Sequence, residues 1–260
     1  MGGVELLQAW FGGRGFARHR HDTYAIGVTE AGLQMFDYRG RLERSGPGDV
    51  VVLHPDEAHD GRAGGAEGFG YRIVYVEPAR IAAAVRAIRG RPAPLPFARE
   101  TVSRNPTLAR AVIAAFRAEP EPLALDALVL RLAEGLVEGE DGRPLATSRR
   151  LDHAALDRAR ACLEGRRAIV RSAELEAVTG LSRYELARQF RDRYGTSPYR
   201  YSLMRRLDFA RHRLHAATPL ADLALAAGFA DQAHFTRMFR SAYGVTPGRY
   251  ARLCENQRQT

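Results

Sequence analysis

Two sets of residues in this 260-residue chain have the types and the spacing to do chemistry. The first is Ser182, Arg183, Tyr184, Ala187 and Arg188, followed about 49 positions later by Asp231, Gln232, His234, Thr236 and Arg237. An Arg guanidinium can bridge O6 and N7 of guanine, and a Gln amide can bridge N6 and N7 of adenine. Each good bidentate pair discriminates between bases by about 1–3 kcal/mol. For any one of these residues alone, a solvated polar helix face explains as much. The second set is four histidines, His19, His21, His54 and His59. Imidazoles at such spacing can ligate a metal, line a pocket, or simply hydrogen-bond inside a fold.

The elements that must position the first set are duplicated. Shifting the chain by 49 residues gives eight identical pairs: Arg188/Arg237, Phe190/Phe239, Arg191/Arg240, Tyr194/Tyr243, Gly195/Gly244, Pro198/Pro247, Arg200/Arg249 and Tyr201/Tyr250. Two copies are too few for a solenoid and indicate a duplicated small module. Each copy has helix-turn-helix punctuation. In the first, Ser172 is expected to cap a short helix that ends at Gly180, and Ser182-Arg183-Tyr184-Glu185 forms a capping box. Leu186, Phe190 and Tyr194 make the inward stripe. In the second, Thr218-Pro219 is expected as a cap plus first-turn proline, Gly228 as the turn, and Asp231 as the next cap. Phe235, Phe239 and Tyr243 make its stripe. The residues off each stripe and early in each second helix are the ten named above. Ser197-Pro198 opens a connecting helix to about Leu214, long enough to hold two reading heads near the ~34 Å of one duplex turn.

Charge agrees with that placement. From residue 1 to 147 there are 18 Arg against 19 Asp and Glu; from 148 to 260 there are 21 Arg against 11. The whole excess of positive charge sits with the repeat, as a phosphate-binding domain requires. The chain has no Lys, which fits GC-rich coding better than selection. Cys162 and Cys254 form neither a disulfide framework nor a metal motif. No apolar run approaches a membrane span. The N-terminus has neither a secretion signal nor a myristoylation signal, so a cytoplasmic location is expected.

The second set lies among short strands. Tyr24–Thr29, Leu33–Tyr38, Val50–Leu53 and Tyr71–Val76 are rich in β-branched and aromatic residues and punctuated by Gly, Pro and Asp, which suggests a barrel or sandwich. Alternation puts Tyr71, Ile73 and Tyr75 on one face. A helix is expected at Pro78–Ile88, a proline-rich linker at 90–96, helices at Pro106–Ala118 and Leu123–Glu138, and a polar linker at 139–149. Leu125, Leu128, Leu132 and Leu136 share a face that either packs on the barrel or forms a dimer seam.

Residues 165–253 resemble the DNA-binding domain of the AraC/XylS family of bacterial transcription regulators. The residues that carry the resemblance are Gly180-Leu181-Ser182, Phe190-Arg191, Tyr194-Gly195-Thr196-Ser197-Pro198, Ala226-Ala227-Gly228-Phe229, Phe235, Phe239-Arg240, Tyr243-Gly244, Thr246-Pro247 and Arg249-Tyr250. The resemblance implies two recognition helices in successive major grooves. Its base-reading positions fall on Tyr184, Ala187, Arg188, Gln232, His234, Thr236 and Arg237. Ala187 offers no hydrogen bond there. Residues 10–80, with His-Arg-His at 19–21, Gly48-Asp49 and Pro55-Asp56-Glu57-Ala58-His59, are similar to the family's cupin-like sensor barrel. Cupin enzymes hold a metal with a histidine pair, a glutamate and a later histidine. Here Ala25 and Ile26 stand where the glutamate is expected. A three-imidazole metal site, a metal-free pocket and structural histidines all remain readings of the cluster; the working assignment has no metal and no cofactor.

The expected architecture is α+β in two domains: a cupin-like β-barrel with flanking helices, then an all-α domain with two helix-turn-helix motifs joined by a linker helix. Expected boundaries are 1–98 for the sensor, 99–147 for a helical linker with dimerisation helices, and 148–260 for the DNA-binding domain. Within the last, the motifs fall at about 172–195 and 219–244, around a linker helix at 198–214. The expected function is a ligand-responsive, non-enzymatic transcription regulator, an activator by family expectation. Its partners would be double-stranded DNA, a small-molecule effector, RNA polymerase and a second copy of itself, with no membrane. Effector contacts are expected from His19, His21, Tyr24, Glu30, His59, Tyr71 and Ile73, with Glu30 favouring a cationic metabolite or amino acid. Two alternatives stand beside this: a cupin-type metal-dependent enzyme fused to a DNA-binding module, and a constitutive DNA-binding regulator with a non-sensing barrel.

Overall fold

The computed structural model describes residues 3–12, 15–117, 121–142, 151–215 and 217–256, with side chains as far as 252. Strands come first: β1 (Val4–Phe11), β2 (Phe16–His19), β3 (Tyr24–Gly32), β4 (Gln34–Tyr38), β5 (Arg41–Ser45), β6 (Val50–Leu53), β7 (His59–Ala63) and β8 (Phe69–Val76). After α1 (Pro78–Arg89) come β9 (Val102–Ser103), α2 (Pro106–Ala115) and α3 (Pro122–Asp141). The barrel consists of two antiparallel sheets, ordered β1-β8-β3-β6-β9 and β2-β7-β4-β5. Between them lies a core of Ala25, Phe36, Tyr38, Val51, Leu53, Phe69, Tyr71 and Ile73. Period-two alternation sends Ile26, Val52 and Val74 to the other face of the larger sheet, and α2 packs on β3 and β8.

Several expectations change here. Residues 90–96 are no spacer between domains. The Tyr24 hydroxyl donates to the Pro96 carbonyl at 2.9 Å, and the ring of the neighbouring Phe97 stacks on His54 at 4.7 Å. Pro96, Phe97 and Ala98 hold the end of this segment against the sheets, while Pro92 and Pro94 are exposed. The helix at 106 ends at Ala115, three residues early. Gly135 lets α3 approach α2 closely, since a Cβ there would meet Leu108 at 2.6 Å. The Asn105 amide donates to the Gly135 carbonyl at 2.9 Å. On α3, Leu132 and Leu136 are fully buried and Leu125 and Leu128 half-buried. The polar stretch 139–149 falls outside the described residues beyond 142.

The chain divides into two compact units. One holds residues 1–120 and 124–150, so the 106–138 helices group with the strands; the other holds 121–123 and 151–260. The second unit contains α4 (His153–Gly165), α5 (Ser172–Thr179), α6 (Arg183–Tyr194), α7 (Pro198–Arg213), α8 (Leu220–Ala226), α9 (Gln232–Tyr243) and α10 (Pro247–Asn256). It has two cores. Leu156, Leu163, Leu175, Leu186 and Phe190 build the first; Leu207, Leu223, Phe229, Phe235 and Phe239 build the second. Two caps differ from expectation. Ser172 is the first helical residue of α5 and Arg171 occupies the cap, its N–H bonded to Glu174 at 3.2 Å. Pro219 is the cap of α8 rather than its first residue, and Thr218 spends its hydroxyl on the Arg213 carbonyl at 3.2 Å.

Candidate effector cavity and nucleic-acid interface

The first unit contains a cavity of about 220 Å³ between its sheets, partly open to solvent on the side of the exposed His19. Of the expected effector residues, His19, His59, Tyr71 and Ile73 line it. Phe11, Phe16, Gln34, Leu53 and Tyr75 line it too and were not in that set. Tyr75 was legible from its alternation with Tyr71 and Ile73; Phe11 and Phe16 carry no comparable local signal. The histidine rings are clustered, with centroids 4.5 Å apart for His19 and His59 and 4.9 Å for His21 and His59. Each donates Nδ1–H to a backbone carbonyl: His19 to Ala17 at 2.9 Å, His21 to Thr23 at 2.8 Å and His59 to Glu57 at 3.1 Å. A carbonyl can only accept, so Nδ1 carries a proton in each ring, and in a neutral ring Nε2 keeps its lone pair. The Nε2 of His21 is buried without a hydrogen-bond partner. Burial pushes His59 down to about 4 and lowers His21 as well.

Three of the expected contacts, His21, Tyr24 and Glu30, are absent from the lining. His54, the remaining histidine of the sequence cluster, is structural: it bonds the Tyr38 hydroxyl through Nδ1 at 3.1 Å and accepts the Ala98 N–H through Nε2 at 3.1 Å. Tyr24 is buried and committed to Pro96. Glu30 is a correction. It sits near the end of β3, outside the cavity lining, paired with Arg72 at 3.0 Å and accepting from Gln8 at 2.9 Å. Its charge is already matched, so it offers nothing to a cationic ligand. Nor do the histidines fit a cupin-type metal centre. Among the described residues no group of three His, Cys, Asp or Glu is arranged to hold an ion. Ala25 and Ile26, where a fourth ligand would stand, are fully buried apolar side chains.

In the second unit the helix starts follow from their caps. The Ser182 hydroxyl accepts the Glu185 N–H at 3.4 Å, while the Ser182 N–H donates to the Glu185 carboxylate at 3.2 Å. Asp231 accepts the His234 N–H at 2.6 Å, which lowers its carboxyl below the usual range. Glycines at 180, 195 and 244 end helices with φ of 74°, 70° and 77°.

The ten expected reading residues separate on inspection. Gln232 and Arg237 are exposed and Thr236 half-buried along one side of α9. Arg183 is ion-paired with Glu176 at 3.1 Å. Arg188 pairs with Asp192 at 3.2 Å and keeps only 12% of its side chain exposed. Ser182 and Asp231 are occupied as caps. Tyr184, Ala187 and His234 do not face outward: they are buried at 3%, 5% and 5% exposure. For α6 the reason is crowding, because α4, α5 and α7 all pack on it and leave little free surface beyond the Leu186 stripe. His234 folds back over its own turn, its ring edge-on to Phe229 at 5.2 Å and its Nδ1 accepting the Ala230 N–H at 3.4 Å. Sequence reasoning missed Arg206. Fully buried, it grips Glu121 at 2.9 and 3.1 Å, donates to the Ala227 and Gly228 carbonyls at 3.3 and 2.6 Å, and stacks on Phe229 at 4.4 Å. Nothing local marks an arginine as buried when its carboxylate partner lies 85 positions away.

Two family models match this chain. Residues 2–133 match the AraC-like ligand binding domain, and residues 175–253 match a helix-turn-helix domain. The chain is 35% identical over 79 residues to the probable transcriptional regulator LumQ of Photobacterium leiognathi, covering 30% of this chain and 32% of LumQ. It is 26% identical over 222 residues to the HTH-type transcriptional regulator YbfI of Bacillus subtilis, covering 84% of this chain and 81% of YbfI. It is 33% identical over 134 residues to the HTH-type transcriptional activator RhaS of Escherichia fergusonii, covering 50% of this chain and 44% of RhaS. The alignments thus span less than half of LumQ and of RhaS. No helix among the described residues is long and apolar enough to cross a membrane. With both of its domains matched, the chain belongs to the AraC family of transcription regulators.

Proposed function

We propose that this chain is a one-component regulator in which a small molecule in the 220 Å³ cavity biases how the tandem helix-turn-helix unit binds promoter DNA. The observation that carries this is the cavity itself, an apolar space between the sheets with a few convergent polar groups, the usual form of a small-molecule site. Gln232, Thr236 and Arg237 on α9 are assigned to base edges, and Arg188 to the corresponding position on α6. Arg183 and the caps Ser182 and Asp231 contribute to seating the helices on the backbone. An effector acts only through a difference in its affinity for the two arrangements, typically about 1–3 kcal/mol of coupling. The same reading includes transcriptional activation, the role that the name of RhaS states for that relative, here through RNA polymerase, assembly as a homodimer with the half-buried Leu125 and Leu128 of α3 as the contact, and a cytoplasmic location.

The test is fluorescence anisotropy with labelled fragments upstream of the chain's own gene, at several salt concentrations, with and without a metabolite panel. Specific binding whose midpoint moves with one class of metabolite is the expected result. Absence of any binding at low ionic strength would overturn the DNA reading. Binding that no metabolite moves would leave a constitutive regulator.

A further inference from the structure

The cavity's chemistry defines the class of effector more narrowly; this inference rests on the sensor reading above. Among the described residues the lining contains no Asp, Glu or Arg. A buried ammonium or carboxylate would therefore lose its hydration with no opposite charge to replace it. The walls are aromatic: Phe11 stacks on Tyr71 at 5.9 Å between centroids and meets Phe16 edge-on at 5.7 Å. An engineered apolar cavity of about 150 Å³ accommodates benzene, so 220 Å³ admits one ring with a small substituent. Among the polar groups of the lining, Thr29, Gln34, Tyr71 and Tyr75 can both donate and accept, and the two histidines are the directional ones. His19 and His59 line the space and have already committed Nδ1–H to backbone carbonyls, at 2.9 and 3.1 Å. What a neutral ring has left to offer is the Nε2 lone pair, an acceptor that calls for a donor on the ligand.

We propose that the effector is an uncharged single-ring molecule carrying one O–H or N–H donor, with the ring against Phe11, Phe16 and Tyr71 and the donor on the histidine pair. Burial keeps His59 neutral at pH 7, with its pKa at about 4, so the acceptor is present under working conditions. A phenol fits this description; a benzoate or a benzylammonium does not.

The experiment uses the full chain and five probes of similar size: p-cresol, p-methylanisole, toluene, p-toluate and benzylamine, each titrated by calorimetry at pH 7.5. One hydrogen bond of ordinary strength corresponds to about a fivefold preference. The expected order is p-cresol about fivefold tighter than p-methylanisole or toluene, with both charged probes weaker than toluene. His19→Leu/His59→Leu should bring p-cresol and toluene to equal affinity. Because p-methylanisole removes the donor from the ligand, the comparison holds even if the variant fails to fold. Tightest binding by p-toluate or benzylamine, equal binding of p-cresol and p-methylanisole, or no binding of any ring overturns the proposal. Promoter anisotropy is recorded alongside. A charged probe that binds best and shifts DNA affinity removes the ligand class and leaves the sensor reading intact. The expected order with no effect on DNA removes the sensor reading and leaves the ligand class.

Discussion

Arg206→Met should unfold the second helix-turn-helix without touching any residue assigned to DNA. The wild-type guanidinium makes a two-pronged ion pair with Glu121 at 2.9 and 3.1 Å, and Glu121 is itself 8% exposed. It also donates to the carbonyls of Ala227 and Gly228, which follow α8 and form the turn into α9. Methionine retains much of the packing on Phe229 but leaves a buried carboxylate unpaired and two turn carbonyls short of a donor. Removing one partner of a buried ion pair costs about 3–5 kcal/mol, and each carbonyl adds on the order of 1 kcal/mol. Against a domain stability of about 5–15 kcal/mol, the loss of roughly 5 kcal/mol is severe. Urea unfolding followed by circular dichroism should show an earlier transition, and promoter affinity should fall with it. The double variant Arg206→Met/Glu121→Leu separates the causes. With no stranded charge it should recover most of the ion-pair loss and retain only the cost at the turn. If the double variant is as unstable as the sum of the two single variants, the ion pair is not what makes Arg206 matter.

Three further outcomes are expected. Arg237→Ala, on the exposed side of α9, should lose about 1–3 kcal/mol of discrimination between specific and scrambled sites in a gel-shift titration; Arg188→Ala should do the same on the other half-site, and unchanged footprints in both would remove the assignment of reading residues. Burial lowers the pKa of both His54 and His59 to about 4, against roughly 6.5 when unfolded. Their contribution is complete above pH 6.5 and fades as pH drops toward 4, so thermal melts should show the first unit losing about 2 kcal/mol per ring between pH 7 and 5, and His54→Gln should flatten that slope. Gly228→Ala places a Cβ in overlap with the Arg167 carbonyl oxygen at φ +79°; the left-handed backbone alone costs about 1–3 kcal/mol and the overlap adds to it, so the melting temperature should fall with normal DNA contacts in whatever remains folded.

Much of the second unit was legible because its information is local. The Ser182 capping box, the Asp231 cap, helix-ending glycines and a four-residue apolar spacing fix where α6 and α9 begin and end, each within a few residues of sequence. The same logic failed at Thr218-Pro219, where the hydroxyl took a carbonyl five residues back instead of capping. It also failed at Tyr184, Ala187 and His234. A helical stripe identifies the face that must be buried, but it does not say whether other neighbours bury more. In the first unit, alternation placed Tyr71, Ile73 and Tyr75 on the cavity. The pairing of β1 with β8 that brings in Phe11 spans more than fifty residues, and no local pattern encodes it. Glu30 was misplaced for the related reason that its cross-strand neighbours, Arg72 and Gln8, are distant in sequence.

The duplicated residues show what the repeat preserves. In the first copy Phe190, Tyr194 and Tyr201 form a triangle with centroids 4.5, 5.5 and 6.4 Å apart; in the second, Phe239, Tyr243 and Tyr250 form one with 4.6, 5.5 and 6.2 Å. Even the polar tips match: Tyr194 donates to Asp157 at 2.9 Å and Tyr243 to Asp208 at 3.0 Å. These identical pairs are frame. They clamp each second helix to the helix that follows it, and a Phe→Ala change in either triangle removes packing worth about 3–5 kcal/mol. The positions off the frame behave the opposite way. Arg183, which seats its helix on the backbone, corresponds to the base-assigned Gln232, and the buried Ala187 to the base-assigned Thr236; only Arg188 and Arg237 agree. Packing requirements held the two frames alike while the residues off the frame were free to diverge. On the proposed reading, one protomer therefore meets two unlike half-sites that share a guanine at the arginine position. The asymmetry of the operator would then follow from the few exposed residues by which the two copies differ.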